Sequence, residues 1–190
     1  MRSALSKPLW LWIPLALWAQ SQPGGLTPEW DIQKTLEAIA AHAGRLQPIL
    51  DQLDPQTWVG KGASDTYVTQ WNAARTQAKA VAAAARELSK RPDKLTGALE
   101  TFFRVQSLEL VVGSLQEGIR KYQNPALADL LSGTVAENGA NREKLQRYIL
   151  DLAAQKEQEF QVADREAQRC REFLSKNPPA KKADKKAERK

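Results

Sequence analysis

The stretch LTGALETFFRVQSLELVVGSLQEGIRKYQNP, residues 95–125, decides the fold of this chain. Between Leu95 and Tyr122 its apolar residues recur every three or four positions, which is the spacing of one face of an α-helix. Asn124 and Pro125 follow at once and supply an N-cap and a proline at the first position of another helix. A turn this short forces the two helices to lie antiparallel, as they do in a helical bundle.

Two segments before this stretch carry the same spacing and predict two further helices. The first begins with Thr27 as N-cap and Pro28 at the first helical position. The second begins near Ser64, after a loop over residues 54–63. The side chains expected in the core are Ile32, Leu36, Ile39, Ala43, Leu46, Leu50 and Leu53 of the first helix and Tyr67, Trp71, Ala74, Ala78, Val81, Ala85 and Leu88 of the second.

The third helix, within the quoted stretch, is more apolar than the first two. Phe103, Leu110 and Val111 widen its apolar face beyond a single stripe. A helix that is apolar over more than one face is usually enclosed, so we expect this to be the most enclosed helix of the bundle. Glu109 lies on the same helix, and we expect it to form a satisfied polar contact inside the bundle.

A fourth helical segment covers residues 125–174, about twice the length of the others. Gly133, Asn138 and Gly139 favour a break or kink, and Thr134-x-x-Glu137 resembles a capping box that would restart the helix. The four segments together predict an all-α protein, an antiparallel up-down four-helix bundle with coiled-coil spacing and a long or kinked last helix.

Residues 156–175 read as a polar helical extension with a narrow apolar edge. Phe160 and Cys170 lie on this edge, and we single them out as candidate interaction residues. The edge needs a partner, either the bundle of the same chain or another subunit. For Cys170 we expect burial as a small apolar residue, with a disulfide between two chains as the alternative. The whole edge is Phe160, Ala163, Ala167, Cys170 and Leu174.

The first 21 residues have the pattern of a secretory signal peptide. Arg2 and Lys7 precede an uncharged run over residues 9–19, and Ala19 and Ser21 supply small residues for cleavage. Eleven helical residues span only about 16 Å, roughly half of the hydrocarbon core of a bilayer. We therefore predict an exported protein, periplasmic or secreted, without a transmembrane segment after cleavage.

The positive charge of the chain is concentrated at its C-terminus. The net charge is +6, but residues 176–190 hold seven basic residues against two acidic ones, so the body over residues 22–175 is close to neutral. This lysine-rich tail has no branched apolar or aromatic residues and is expected to be disordered. It serves solubility or binds an anionic envelope surface; nucleic acid is not expected. The candidate interaction residues of the tail are Lys181, Lys182, Lys185 and Lys186.

The chain offers few groups for chemistry. His42 and Cys170 are its only histidine and cysteine, and neither has a motif of a metal, haem or nucleophile site. We expect His42 at the boundary or surface of the first helix, and we expect no enzymatic activity and no cofactor. Gly60-Lys61-Gly62 in the loop lacks the spacing of a phosphate-binding loop.

Trp58 in the same loop is the remaining candidate interaction residue. It either plugs one end of the bundle or is exposed and anchors a partner. The second alternative is considered because exposed aromatic side chains are frequent interface anchors. Two functions remain open. One is an exported, non-catalytic bundle that binds or scaffolds in the cell envelope, associating with a protein partner or with itself through the C-terminal helix. The other is a chaperone-like or apolar-ligand-binding protein with a groove lined by Trp71, Phe102, Phe103 and Tyr122.

Overall fold

The computed structural model describes residues 28–176, and these residues are helical apart from short connections. The predicted signal peptide and the lysine-rich tail after Lys176 lie outside this range, while Lys176 itself is the last residue of the last helix. The first predicted N-cap, Thr27, also lies outside it. The helices are α1 (Glu29–Leu50), α2 (Pro55–Gly60), α3 (Thr66–Lys90), α4 (Leu95–Tyr122), α5 (Pro125–Ala136) and α6 (Gly139–Lys176).

The long helices form an antiparallel four-helix bundle, as the sequence predicts. Helix α3 packs against α1 and α4, while α5 and α6 follow one another along the groove between α1 and α4 and close the bundle. All seven residues of the predicted α1 stripe are buried. On α3 the stripe is buried from Ala74 to Leu88, while Tyr67 and Trp71 are half-buried against the core. The alternating steps of three and four residues therefore identify the core faces correctly.

Asn124 caps α5 as predicted, because its Oδ1 accepts a hydrogen bond from the backbone N–H of Ala126 at 2.9 Å. At the start of α1 the prediction is one residue early: Pro28 has extended backbone angles and precedes the first helical residue. The connection over residues 54–63 is not a plain loop, since it contains the six-residue helix α2. Asp54 caps α2 by accepting a 3.4 Å hydrogen bond from the N–H of Thr57.

The break in the last helical segment lies at Asn138, as predicted, whereas the predicted position Gly133 is inside α5. The predicted reason for the break is also different. Thr134 is not a cap: it lies inside α5, and its hydroxyl donates to the carbonyl oxygen of Leu130 at 2.8 Å. The helix bends at Glu137 and Asn138, and the carbonyl oxygen of Asn138 accepts the first bond of α6, from the N–H of Arg142. The prediction of a capping box is therefore wrong, because the backbone stays helical beyond Thr134, the residue predicted as the cap.

Helix α4 is less enclosed than predicted. Phe103 and Leu110 are 60% and 76% exposed, so they extend the apolar residues of α4 to the solvent side rather than into the core. Eight of its 28 residues are buried, against ten of 22 in α1. Helices α3, α5 and α6 pack on both α1 and α4, but a larger share of α1 faces them.

The two ends of the bundle differ. At one end, which we call the closed end, α2 folds beneath the connection between α4 and α5, and Trp58 is fully buried there. At the other end, the open end, the side-chain amide of Gln33 near the start of α1 donates to the carbonyl oxygen of Ser89 in the last turn of α3. Tyr148 of α6 donates its hydroxyl to the carbonyl oxygen of Pro92 at the same end, 2.9 Å away. Helix α6 continues past this point.

Candidate functional site

The C-terminal part of α6 projects beyond the open end of the bundle. Leu152 is the last buried residue of the helix. Of the residues after it, which we call the arm (residues 153–176), three are half-buried and all the others are exposed. About 24 helical residues correspond to a length of about 36 Å at the 1.5 Å rise of an α-helix. The arm thus presents a long helical surface that its own bundle does not cover.

The apolar edge of the arm continues the buried stripe of α6. The stripe consists of Leu145, Tyr148, Ile149 and Leu152, all of which contact the rest of the bundle in its core. At 3.6 residues per turn, the five residues of the edge lie within a sector of about 80° around the helix axis. The three aliphatic residues of the buried stripe lie in the same sector. The face that packs on the bundle below Leu152 is therefore the face that carries apolar residues above it.

Phe160, a candidate interaction residue, is the largest member of this edge, and it is 73% exposed. Cys170 is exposed as well, so the expected burial of its thiol is wrong. Its helical register was identified correctly, but the register fixes only the side of the helix. No neighbouring helix of the described chain reaches the level of Cys170 to cover it.

Two further apolar residues of the arm were not selected from the sequence. Val162 is 52% exposed and Phe173 is 65% exposed, and both lie outside the edge. An apolar residue off the stripe of a polar helix is the signal that could have found them. The charged residues of the arm pair along the helix, Lys156 with Glu159 and Glu166 with Arg169. These contacts are worth a few tenths of a kcal/mol each because they are exposed.

Trp58 closes the bundle and is not available to a partner. The indole is 1% exposed, and its Nε1–H donates to Oε1 of Gln123 at 3.1 Å. The side-chain amide of Gln123 in turn donates to the carbonyl oxygen of Gln52 at 2.7 Å. Gln123 therefore joins the end of α1, the helix α2 and the turn before α5, and the first of the two interpretations of Trp58 is the correct one. Trp58 is removed from the candidate interaction surface.

His42 is buried, contrary to the prediction of a boundary or surface position. It is 4% exposed, and its Nδ1 lies 3.2 Å from Nη2 of Arg45. Because a guanidinium only donates, Nδ1 accepts, and the imidazole is neutral with its proton on Nε2. Burial lowers the pKa of His42 below its usual value, and the charge of Arg45 lowers it further, while Glu137 opposes the shift. Arg45 also binds Glu137 at 3.1 Å, which links α1 to the bend before α6.

Glu109 forms the polar contact expected inside the bundle. Its carboxylate pairs with the guanidinium of Arg142, which joins α4 to the first turns of α6. The Glu109 side chain is 18% exposed, so this pair is the most enclosed of the ion pairs in the described range. A paired and hydrogen-bonded carboxylate of this kind is a structural contact rather than a free acid.

A cavity of about 440 Å³ lies between α3 and α4 near the open end. Small side chains leave this space, and charged side chains form its rim. The acidic residues of the rim are already paired, Glu87 with Lys90 and Arg91, and Glu100 with Arg104. The lining residues are Ala80, Ala83, Ala84, Glu87, Leu88, Arg91, Lys94, Gly97, Glu100, Thr101 and Arg104.

The four aromatic side chains expected to line one groove do not lie together. Trp71 donates its indole N–H to the carbonyl oxygen of Leu50 at 2.7 Å, at the contact of α3 with α1. Tyr122 meets Tyr67 edge-on at the closed end, with ring centroids 6.4 Å apart. Phe102 is 20 residues before Tyr122 on α4, or about 30 Å along the helix. A single groove cannot contain these residues.

Within residues 28–176, no helix is both long enough and apolar enough to cross a membrane. The same range contains no cluster of three or more histidine, cysteine, aspartate or glutamate side chains placed to hold a metal ion. Comparison with known proteins gave no match to a family model, to a curated protein or to a solved structure.

Proposed function

We propose that this chain is an exported, non-catalytic scaffold protein that acts by contact, with the bundle as its rigid body and the arm as its contact element. The observation that supports this proposal is the exposure of the arm beyond Leu152, with Phe160, Phe173 and Leu174 all more than half exposed. A helix that keeps large apolar residues in water over this length is typical of an interaction surface.

The energetics of an uncovered helix favour the same function. An isolated helix is only marginally stable in water, because most helical stability in proteins comes from packing of an apolar face. The arm has the apolar edge but not the packing partner. A partner helix on this edge would bury Phe160 and Leu174 and so stabilise the arm, with about 25 cal/mol for each Å² of apolar surface removed from water.

The lysine-rich tail follows the arm directly in the sequence. We propose that it is an electrostatic tether to an anionic envelope surface, because each lysine near such a surface contributes about 1 kcal/mol of binding. Lys181, Lys182, Lys185 and Lys186 supply most of this charge. The arm separates the tail from the bundle by about 36 Å, so a tethered molecule keeps its bundle away from the surface.

Co-sedimentation with isolated envelope fractions tests both parts of the proposal. The chain from Gln22 is compared with a form ending at Lys176, and with a form in which the four lysines are replaced by glutamine. We expect the full tail to increase sedimentation at low salt, and we expect high salt to release this tail-dependent part. If the glutamine form sediments as well as the parent, charge does not hold the protein and the tether is wrong.

The contact role of the arm is tested by Phe160→Glu, which places a charge on the apolar edge, in the same fractions at high salt. We expect this variant to lose the residual, salt-resistant association, while Val162→Glu on another side of the arm retains it. The alternative function, apolar-ligand or chaperone-like binding, has less support because its aromatic residues lie far apart. Suppression of the aggregation of a heated model client by dilute protein would favour that alternative.

A further inference from the structure

This inference rests on the proposed function and specifies the partner of the arm. We propose that the arm docks on the arm of a second copy of this chain, antiparallel, so that two copies form a homodimer through a short two-helix coiled coil. The residues that carry the proposal are the five of the apolar edge together with Lys156. The pairing is centred near Arg165, where the twofold axis crosses the two helices.

The position of the bundle decides the orientation. The bundle covers α6 on the face of Leu145 and Leu152, and the edge of the arm lies on that same face. In a parallel dimer the second α6 would lie along this same face over its whole length. Its N-terminal half would then enter the space that α1 and α4 of the first copy occupy. In an antiparallel dimer the second α6 runs away from the bundle, so only the antiparallel arrangement is sterically open.

The length of the arm fits the antiparallel arrangement. In a two-helix antiparallel coiled coil each a position faces a d position of the partner, and a register centred at residue 165 places residue 176 opposite residue 154. The bundle of the second copy begins at Leu152. Each arm would therefore end just short of the other bundle, and it would continue the packing that α1 and α4 provide to α6 below Leu152.

The same register matches large side chains to small ones. Phe160 faces Cys170 of the second copy, and Ala163 faces its Ala167, each pair occurring twice by symmetry. Alternation of large and small side chains across a seam is how helical cores fill space without voids. Leu174 faces Lys156, whose aliphatic stem can cover it while the ammonium group stays in water.

The charges beside the seam are balanced. Glu157 of one copy lies near Arg171 of the other, twice by symmetry, whereas Asp164 and Glu166 each meet their own symmetry copy near the centre. Glu166 is already paired with Arg169 on its own helix, which reduces this repulsion. The arm as a whole holds five basic and five acidic residues, so two arms do not repel at long range. A short seam with two alanines predicts a weak dimer.

Analytical ultracentrifugation of the chain from Gln22 tests the dimer, over concentrations from about 10 μM to about 1 mM. We expect a concentration-dependent monomer–dimer equilibrium that Phe160→Glu weakens by at least about 100-fold, because a carboxylate would have to be buried in the seam. The matched control Val162→Glu adds the same charge outside the seam and should dimerise within about threefold of the parent. Far-ultraviolet circular dichroism confirms that both variants keep their helix content.

Cysteine cross-linking tests the orientation. In a Cys170→Ser background, Ala163→Cys and Ala167→Cys proteins should cross-link when they are mixed and oxidised, and each should cross-link poorly alone. A parallel dimer would give the reverse, with each protein cross-linking to itself, and the parent would join at Cys170. In the antiparallel dimer the two Cys170 residues are about 15 Å apart along the axis, too far for a disulfide. Self-linking at these positions would overturn the antiparallel arrangement.

The two proposals fail in different ways. A chain that stays monomeric up to about 1 mM overturns the dimer. If the parent chain is monomeric but its Phe160→Glu variant still loses the salt-resistant envelope association, another protein binds the arm and the proposed function stands. If a monomeric chain shows no effect of Phe160→Glu in the envelope experiment, the arm is not a contact element and both proposals are wrong.

Discussion

The backbone of Gly118 lies directly against the ring of Tyr67. A Cβ atom at Gly118 would come within 2.7 Å of Cε1 of that ring. The ring has little room to move, because it meets Trp58 edge-on at 5.8 Å and Tyr122 at 6.4 Å between centroids. The glycine therefore allows α3 and α4 to approach closely beside the closed end of the bundle.

We expect Gly118→Ala to lower the free energy of unfolding by about 1–3 kcal/mol, because the added methyl group overpacks this contact. Gly113 is the matched control: it is exposed on the same helix, and a Cβ there meets nothing within 4 Å. Gly113→Ala should raise stability by about 0.5–1 kcal/mol through helix propensity. Urea denaturation of both variants measures the two values, and a stabilised Gly118→Ala would contradict the close approach.

The buried indole of Trp58 makes a second stability prediction. Trp58→Ala should cost about 3–5 kcal/mol, because it leaves a cavity at the closed end. Trp58→Phe keeps most of the apolar contact and loses the hydrogen bond to Gln123, so it should cost about 1–2 kcal/mol. Trp30→Phe, at a position 60% exposed, should change stability by less than about 0.5 kcal/mol. Equal effects of the substitutions at Trp58 and Trp30 would refute the closing role.

His42 predicts a dependence of stability on pH. Its pKa is lowered in the folded chain, mainly by burial, so between the folded pKa and the unfolded value near 6.5 the unfolded chain binds more protons. Stability should therefore fall as the pH decreases through 6.5 toward 5. Since His42 is the only histidine, His42→Leu should flatten this part of the pH profile. Thermal unfolding of both proteins at several pH values measures this dependence of stability on pH. If the variant has the same dependence as the parent, His42 is excluded as its cause.

The arm and the bundle should respond differently to truncation of α6 side chains. Leu152 is 1% exposed, and Leu152→Ala should cost about 2–5 kcal/mol. Phe160 lies two turns later, and in dilute monomeric protein Phe160→Ala should change the free energy of unfolding by less than about 0.5 kcal/mol. Amide hydrogen exchange should show the same boundary, with protected amides up to Leu152 and fast exchange in the arm. Strong protection of the arm in the monomer would mean that the bundle covers it.

Periodicity predicted the helices and their core faces because it reflects which side of a helix meets the core. Every residue from Ile32 to Leu53 on the α1 stripe is buried for this reason. Periodicity does not report whether a neighbouring helix exists at that height. Cys170 has the same spacing as Leu152 and lies on the same face, yet it is exposed because the other helices end before it.

Contacts between distant segments were the other part that the sequence did not predict. His42 is one place off the α1 stripe but is buried, and its partner Arg45 binds Glu137 at the bend before α6. Phe103 and Leu110 are apolar but face solvent, since the direction of a helix face is set by its neighbours rather than by its composition. The sequence predicted the arm as a polar helical extension from Lys156 onward. Its full exposure could not be predicted, because it depends on where the other helices of the bundle end.

Because one helix continues from the bundle into the arm, the length of the arm can change without a change in the packing of the bundle. Inserting seven residues after Leu152 would lengthen the arm by about 10.5 Å and rotate its apolar edge by only about 20°. Inserting three or four residues would add about half that length and would rotate the edge by about 40–60°. Small insertions at this one place can therefore change the length of the arm, while the folding of the bundle stays as it is.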